Sequence, residues 1–165
     1  EKKQVNGQGV ELDAEAVFQC VARGVPVLQT DLDHGLSGFG DQVFDYVILE
    51  ETLQTLQRPV EVLREMLRVG RRGLVSFPNF AYWRMRLNLL FHGRMPKTEF
   101  LPYEWFDTPN IHFCSVLDFE EYCGRNSIRV ERKIYVSTDR GGRVLRGVRP
   151  NLFAESAVYL LSRQG

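Results

Sequence analysis

The 165-residue sequence has no surplus of either charge: 21 Lys and Arg stand against 21 Asp and Glu. Without a net field, long-range attraction selects neither nucleic acid nor an anionic membrane. There is also no apolar run approaching the ~20 residues that a membrane-spanning helix needs. "EKKQVNGQG" at the start has no apolar core segment of the kind a signal peptide carries. Cysteine is scarce. Cys20, Cys114 and Cys123 are odd in number and include no C-x-x-C, which argues against a disulfide framework or a zinc site. His112 and Cys114 read as a loop histidine and a half-buried thiol rather than a metal pair, and Cys20 as a core residue of a helix. A reducing cytoplasm is the expected compartment. A glycine-rich phosphate loop is missing as well. Gly7-Gln8-Gly9 follows no apolar strand, and Leu12 stands where a third glycine belongs.

What is present is an alternation of strand and helix signals. "GVEL" (9–12) reads as a short strand, and Asp13 as the N-cap of a helix carrying Val17, Cys20 and Val21 and ending at Gly24. "VPVLQ" (25–29) is a second strand, followed by a connector with Gly35, Gly38 and Gly40. "VFDYVILE" (43–50) is nearly continuously apolar, as a parallel strand buried on both faces would be. Pro59 opens a helix with Val60, Leu63, Met66 and Leu67 on its stripe, and "RGLVSFP" (72–78) is the next strand. "AYWRMRLNLLFHG" (81–93) reads as a helix with Trp83, Leu87, Leu90 and Phe91 packed into the core. Ser115 and Asp118 resemble a capping box for a helix through about Arg125. "SIRVERKIYVS" (127–137) and "LFAESAVYLLS" (152–162) read as strands pairing in a hairpin at the sheet edge. Together these predict one α/β domain over 1–165: a doubly wound, mostly parallel sheet with a C-terminal antiparallel hairpin.

Polar residues collect at the strand ends: Glu11, Asp31, Glu50 with Glu51, and Asn79. Ligands of open parallel sheets bind beyond the carboxyl ends of the strands. One carboxylate there takes both hydroxyls of a ribose, and a second accepts from an adenine amino group, so a nucleoside-containing ligand is expected. Such a pocket also needs a first strand and a Gly-rich turn. These are expected before Glu1.

"GVELD", "QTDLDHGL", "FDYVILEETLQ" and "VLREMLRVGRRGLVSFPNF" resemble the successive strand-end motifs of class I S-adenosylmethionine-dependent methyltransferases, the Rossmann-like methyltransferase fold. From "FDYVILEETLQ" to "LPYEWFDTPNIHFCS", and over essentially the whole chain, the sequence resembles the methionine biosynthesis protein MetW family, and the segment from "GRMP" to "LPYEWFDTPNIH" is the most specific part. The resemblance implies that Glu11 holds the ribose hydroxyls of S-adenosylmethionine. It places Asp31 at the adenine amino group, Leu32 on the ring, and Leu49 and Glu50 at the methionine end. Phe77-Pro78-Asn79-Phe80 departs from the Asn-Pro-Pro-aromatic motif of amino-group methyltransferases, and no catalytic residue stands out. Asn79, Tyr103, Trp105, Asp107, Asn110 and His112 form the candidate substrate or partner surface, with ordinary loop packing as the plainer alternative for each. Pro102 and Pro109 stiffen that stretch, and its aromatics give it area to pack down as a cover. The same resemblance implies a partner or regulator of homoserine O-acetyltransferase that binds S-adenosylmethionine. The alternative is an active methyltransferase for a small metabolite. Arg140, Arg143, Arg146 and Arg149 lie in a basic loop over 138–151; with no net positive charge behind it, that loop reads as a solvated turn rather than a nucleic-acid site.

Overall fold

The computed structural model describes residues 6–137, 143–145 and 149–164. Strand β1 (Gly9–Glu11) leads into helix α1 (Ala14–Ala22), where Asp13 accepts from Ala16 N at 2.8 Å. Strand β2 (Val27–Gln29) then pairs parallel with β1, and these two form a sheet of their own. The expectation of a core position for Cys20 does not hold. Helix α1 buries no residue, and Phe18 and Val21 are exposed, because the helix packs only on this two-stranded sheet.

A 3-10 turn at Leu32–His34 precedes β3 (Phe44–Glu50), α2 (Pro59–Val69) and β4 (Gly70–Pro78). Here pattern and burial agree for Leu63, Met66 and Leu67, while Val60, expected on the same stripe, is exposed. Helix α2 sinks Val62, Leu63, Met66, Leu67 and Val69, each worth ~1.5–3 kcal/mol when taken out of water. Its approach to β4 is close: a Cβ on Gly73 would lie 2.3 Å from Met66 Cε and 3.2 Å from Leu67 Cδ2. Strand β3 departs from its expected burial on both faces. It pairs only with β4 among the described strands, α2 covers one side, and Tyr46 and Ile48 are 53% and 65% exposed on the other.

Helix α3 (Trp83–His92), α4 (Val116–Arg125), β5 (Ile128–Ser137), β6 (Arg143–Val144), α5 (Pro150–Phe153) and β7 (Ser156–Arg163) complete the order. The capping box on α4 is present as read: Ser115 Oγ accepts from Asp118 N, and the Asp118 carboxylate accepts from Ser115 N at 3.1 Å. The large sheet runs β3-β4-β7-β5-β6. The two long C-terminal strands do pair antiparallel, but β7 lies inside the sheet between β4 and β5 rather than at its edge. The reason is composition. Ala157, Tyr159 and Leu161 are fully buried, whereas β5 carries Arg129, Glu131, Arg132 and Lys133 and suits a position nearer the edge. Among the described strands parallel pairing is thus confined to β1–β2 and β3–β4, so the large sheet is mostly antiparallel rather than mostly parallel as expected. The α/β, Rossmann-like class stands.

The core lies between this sheet and the helices α2 and α4. Phe77, Phe119 and Tyr159 meet ring to ring at 4.8–5.8 Å. At its margin Glu120 Oε1 accepts from Tyr135 Oη (2.8 Å), Tyr159 Oη (3.0 Å) and Lys133 Nζ (2.8 Å). Burial alone would raise the Glu120 carboxyl, but these three donors hold it below the ordinary range. The helix predicted over 81–93 forms, but not with the predicted burial. Leu87, Leu90 and Phe91 are exposed, and Met85 is its one fully buried residue.

Candidate functional site

Two regions carry the residues singled out from the sequence. The first is a cleft of about 450 Å³ between the β1–β2 unit and β3. Leu32 and Leu49 line it, with Leu36, Tyr46 and Ile48, and so do Gly7 and Gly9 of the G-x-G that lacked a preceding strand. Glu11, Asp31 and Glu50 are not among its lining residues. Their carboxylates are engaged locally or exposed. Glu11 Oε1 accepts from Leu12 N (2.8 Å) and Asp13 N (3.0 Å), closing its own turn. Asp31 Oδ1 accepts from Asp33 N at 2.9 Å, and its Oδ2 lies 3.7 Å from His34 Nδ1. Glu50 is exposed.

Two further acids matter to this region: Asp33, which the sequence did not single out, and Glu51, noted there only as a strand-end acid beside Glu50. Asp33 takes Gln57 N (3.0 Å) and Arg58 N (2.8 Å) on its two oxygens and so pins the start of α2. Glu51 sits at φ 46°, a left-handed backbone conformation that costs a non-glycine residue energy. It is held there by its N–H donating to Ser76 O and Oγ, each at 3.1 Å. Burial, and then the neighbouring Glu50, raise its carboxyl above the ordinary range. Nothing local in the sequence marks either residue beyond an acid near a strand end.

The second region is the insertion after β4. Asn79 was expected on a surface, but it is fully buried. Its Nδ2 donates to Asn151 O (3.1 Å) and Ala154 O (2.8 Å), while Oδ1 accepts from Ala81 N (3.2 Å) and Val116 N (3.4 Å). It is a tie among the end of β4, the entries to α3 and α4, and α5; the four hydrogen bonds leave no side-chain group for a ligand. Asn110 is buried too. Asp107 caps a turn by accepting from Glu104 N at 2.8 Å. Tyr103 and Trp105, with Met95, Asn110 and Phe113, line a small pocket of about 110 Å³. His112 lies elsewhere, on a 210 Å³ pocket with Cys114 and Tyr122, and Gln54 O accepts from its backbone N–H at 3.1 Å. Cys114 is the half-buried thiol expected, pushed up to about 12 by burial and then by Asp118.

The aromatics of the insertion do not pack down as a cover. Trp105, Phe106 and Phe113 are 76%, 69% and 62% exposed, and Trp105 and Phe106 meet chiefly each other, 5.6 Å apart edge to face. Of the basic loop, Arg140 and Arg146 lie outside the described residues. Among the described residues no group of three or more His, Cys, Asp or Glu is placed to hold a metal ion, and no helix is long and apolar enough to cross a membrane.

An α/β sheet of this order is the fold of S-adenosylmethionine-dependent methyltransferases. The structure is similar to one such enzyme from Thermotoga maritima, described as a possible histamine N-methyltransferase (TM-score 0.70, 16% identity, 94% of this chain and 72% of that one). It is similar also to one from Archaeoglobus fulgidus (TM-score 0.66, 11% identity, 94% and 75%). At those identities the likeness is one of fold. Over residues 1–161 the chain matches the family described as methionine biosynthesis protein MetW, and it belongs to that family. It is 41% identical over 158 residues to the bifunctional methionine biosynthesis protein MetXA/MetW of Rhodopirellula baltica. That match takes in 94% of this chain and spans a quarter (25%) of that relative's length. The chain is therefore a methionine biosynthesis protein on a methyltransferase fold.

Proposed function

We propose that the chain acts as a partner or regulator of homoserine O-acetyltransferase, the enzyme that activates homoserine by acylation. One observation carries this reading: a relative 41% identical to this chain is a bifunctional protein named for both MetXA and MetW. We read the MetXA part as the acetyltransferase. Fusion holds two partners at an effective concentration in the millimolar range, which is useful chiefly when the two must meet. The insertion at 94–115, with Trp105 and Phe106 exposed, supplies aromatic side chains of the kind protein interfaces use as anchors. Tyr103 and Asp107 belong to the same surface in this reading, whereas His112 faces the separate pocket beside Cys114.

S-adenosylmethionine is the proposed ligand of the cleft, where it would bring an electrophilic methyl group on a sulfonium. The described residues fit it in part. Leu32 and Leu49 offer apolar walls to a nucleoside. Glu11 spends Oε1 on its own turn, and Oε2 has no hydrogen bond among the described residues, so a ribose hydroxyl could donate to it. Asp31 and Glu50 would serve the adenine and methionine ends.

The test is to titrate the protein into purified homoserine O-acetyltransferase, following the acetylation rate and co-elution, with and without S-adenosylmethionine. A changed rate or a stable complex is expected. Neither effect, or transfer of a labelled methyl group to a small metabolite without any complex, would overturn the reading. Calorimetry with S-adenosylmethionine should give binding that Glu11→Ala weakens.

A further inference from the structure

The surface of α3 does not look like a helix built to face water. Solvent-facing helices carry mixed charges on their outer side. This one carries Leu87, Leu90 and Phe91 at i, i+3 and i+4, which places them on one face. Leu90 is 73% and Phe91 72% exposed. Met95, just past the helix, is also exposed and lines the same small pocket as Trp105, so the apolar face runs on into the aromatic insertion.

The charges that the helix segment itself carries are of one sign, although Glu99, Glu104 and Glu155 approach Arg84 and Lys97 from other segments. Residues 66–98 contain no Asp or Glu, although the whole chain balances 21 bases with 21 acids. Within and just after α3 stand Arg84, Arg86, Arg94 and Lys97. Arg84 lies over the Trp83 ring at 5.5 Å, and Arg94 makes no ion pair among the described residues. Leu and Phe anchors with a basic rim match a partner groove that is apolar inside and acidic at its edge.

We infer that α3, continued by Met95 and Trp105, is the helix that docks into an apolar, acid-rimmed groove of the acetyltransferase. This rests on the partner reading above. An anionic lipid surface is the poorer occupant. Each basic residue near such a surface is worth ~1 kcal/mol, and three of the four are already engaged: Arg84 over the Trp83 ring, Arg86 by Ala81 O at 2.5 Å and Lys97 by the Glu104 carboxylate.

The experiment measures binding of wild type, Leu90→Glu and Arg94→Glu to purified homoserine O-acetyltransferase, beside thermal melting of each protein alone. Both side chains lie outside the core, so both variants should melt as wild type does. Expected is a loss of affinity on the order of 30-fold or more for Leu90→Glu, as for a truncated anchor. Arg94→Glu should lose several-fold, more at low salt than at high. A wild-type complex that Leu90→Glu leaves intact would overturn the assignment of α3 while sparing the partner reading. No wild-type complex at all would overturn both. If Leu90→Glu instead abolishes self-association, or sedimentation with phosphatidylserine vesicles, while the acetyltransferase still binds, the occupant is a second copy or a membrane and the inference fails.

Discussion

Helices α3 and α4 are each ten residues long and similar in apolar content, yet their fates are opposite. In α4, Val116, Phe119 and Cys123 fall at i, i+3 and i+7, make one stripe, and are all buried. In α3 the apolar residues are spread around the helix, and no single sheet face can cover them. Met85 goes inward, and Leu87, Leu89, Leu90 and Phe91 remain outside. The difference separates two uses of apolar surface. One helix stabilises the chain, and the other leaves that surface for something else to bury.

The largest effect should come from the buried stripe. Phe119→Ala removes a ring packed on both Phe77 and Tyr159, and ~3–5 kcal/mol of stability should be lost. The matching change on α3, Phe91→Ala, should stay within about 0.5 kcal/mol. Urea unfolding of the pair checks both, and equal losses would break the comparison.

Next comes the tie at which the two helices begin. Asn79→Ala strands buried groups at the entries to α3 and α4, each costing ~1–3 kcal/mol. The loss should appear in unfolding and as faster hydrogen exchange at both helix starts. A change confined to α3 would mean that α4 is held by other contacts.

A smaller effect is expected at Glu120, which secures α4 to β5 and β7. Its carboxyl is held below the ordinary range, so its contribution is present above the unfolded pKa and is lost as pH falls through the folded one. Glu120→Gln should cost about 1 kcal/mol at neutral pH and flatten the acid limb of the stability profile below about pH 4. An unchanged limb would show that the three donors do not favour the charged form. The smallest effect belongs to Glu51→Gly, which relieves the left-handed backbone at the end of β3 and should gain up to ~1 kcal/mol, readable as a small rise in melting temperature. A fall would mean that the Glu51 side chain has a stabilising contact.

Much of the fold was legible because burial and pattern coincide in α2, β4 and α4, and because caps such as Asp13 and Ser115 act locally. Where burial depends on what a neighbouring element covers, the sequence misled. "VFDYVILE" looks buried on both faces, yet Tyr46 and Ile48 are open. "WRMRLNLLF" looks like a core helix, yet most of it is outside. The place of β7 between β4 and β5 is a long-range pairing that no local signal encodes. Of the candidate site, Leu32 and Leu49, which the family resemblance placed at a ligand, line the cleft. Asn79 was misplaced because a polar residue after a strand reads alike whether it faces a ligand or ties buried backbone. Asp33 was missed, and Glu51 was noted without its role, because their partners lie 24 or more residues away.

The central claim is that the exposed face of α3 is made to be covered by the acetyltransferase. Hydrogen exchange of the protein with and without homoserine O-acetyltransferase tests it most directly. Slowed exchange across residues 83–95, with α4 at 116–125 unchanged, is the predicted result. A complex that forms while α3 exchanges as fast as it does alone would contradict it.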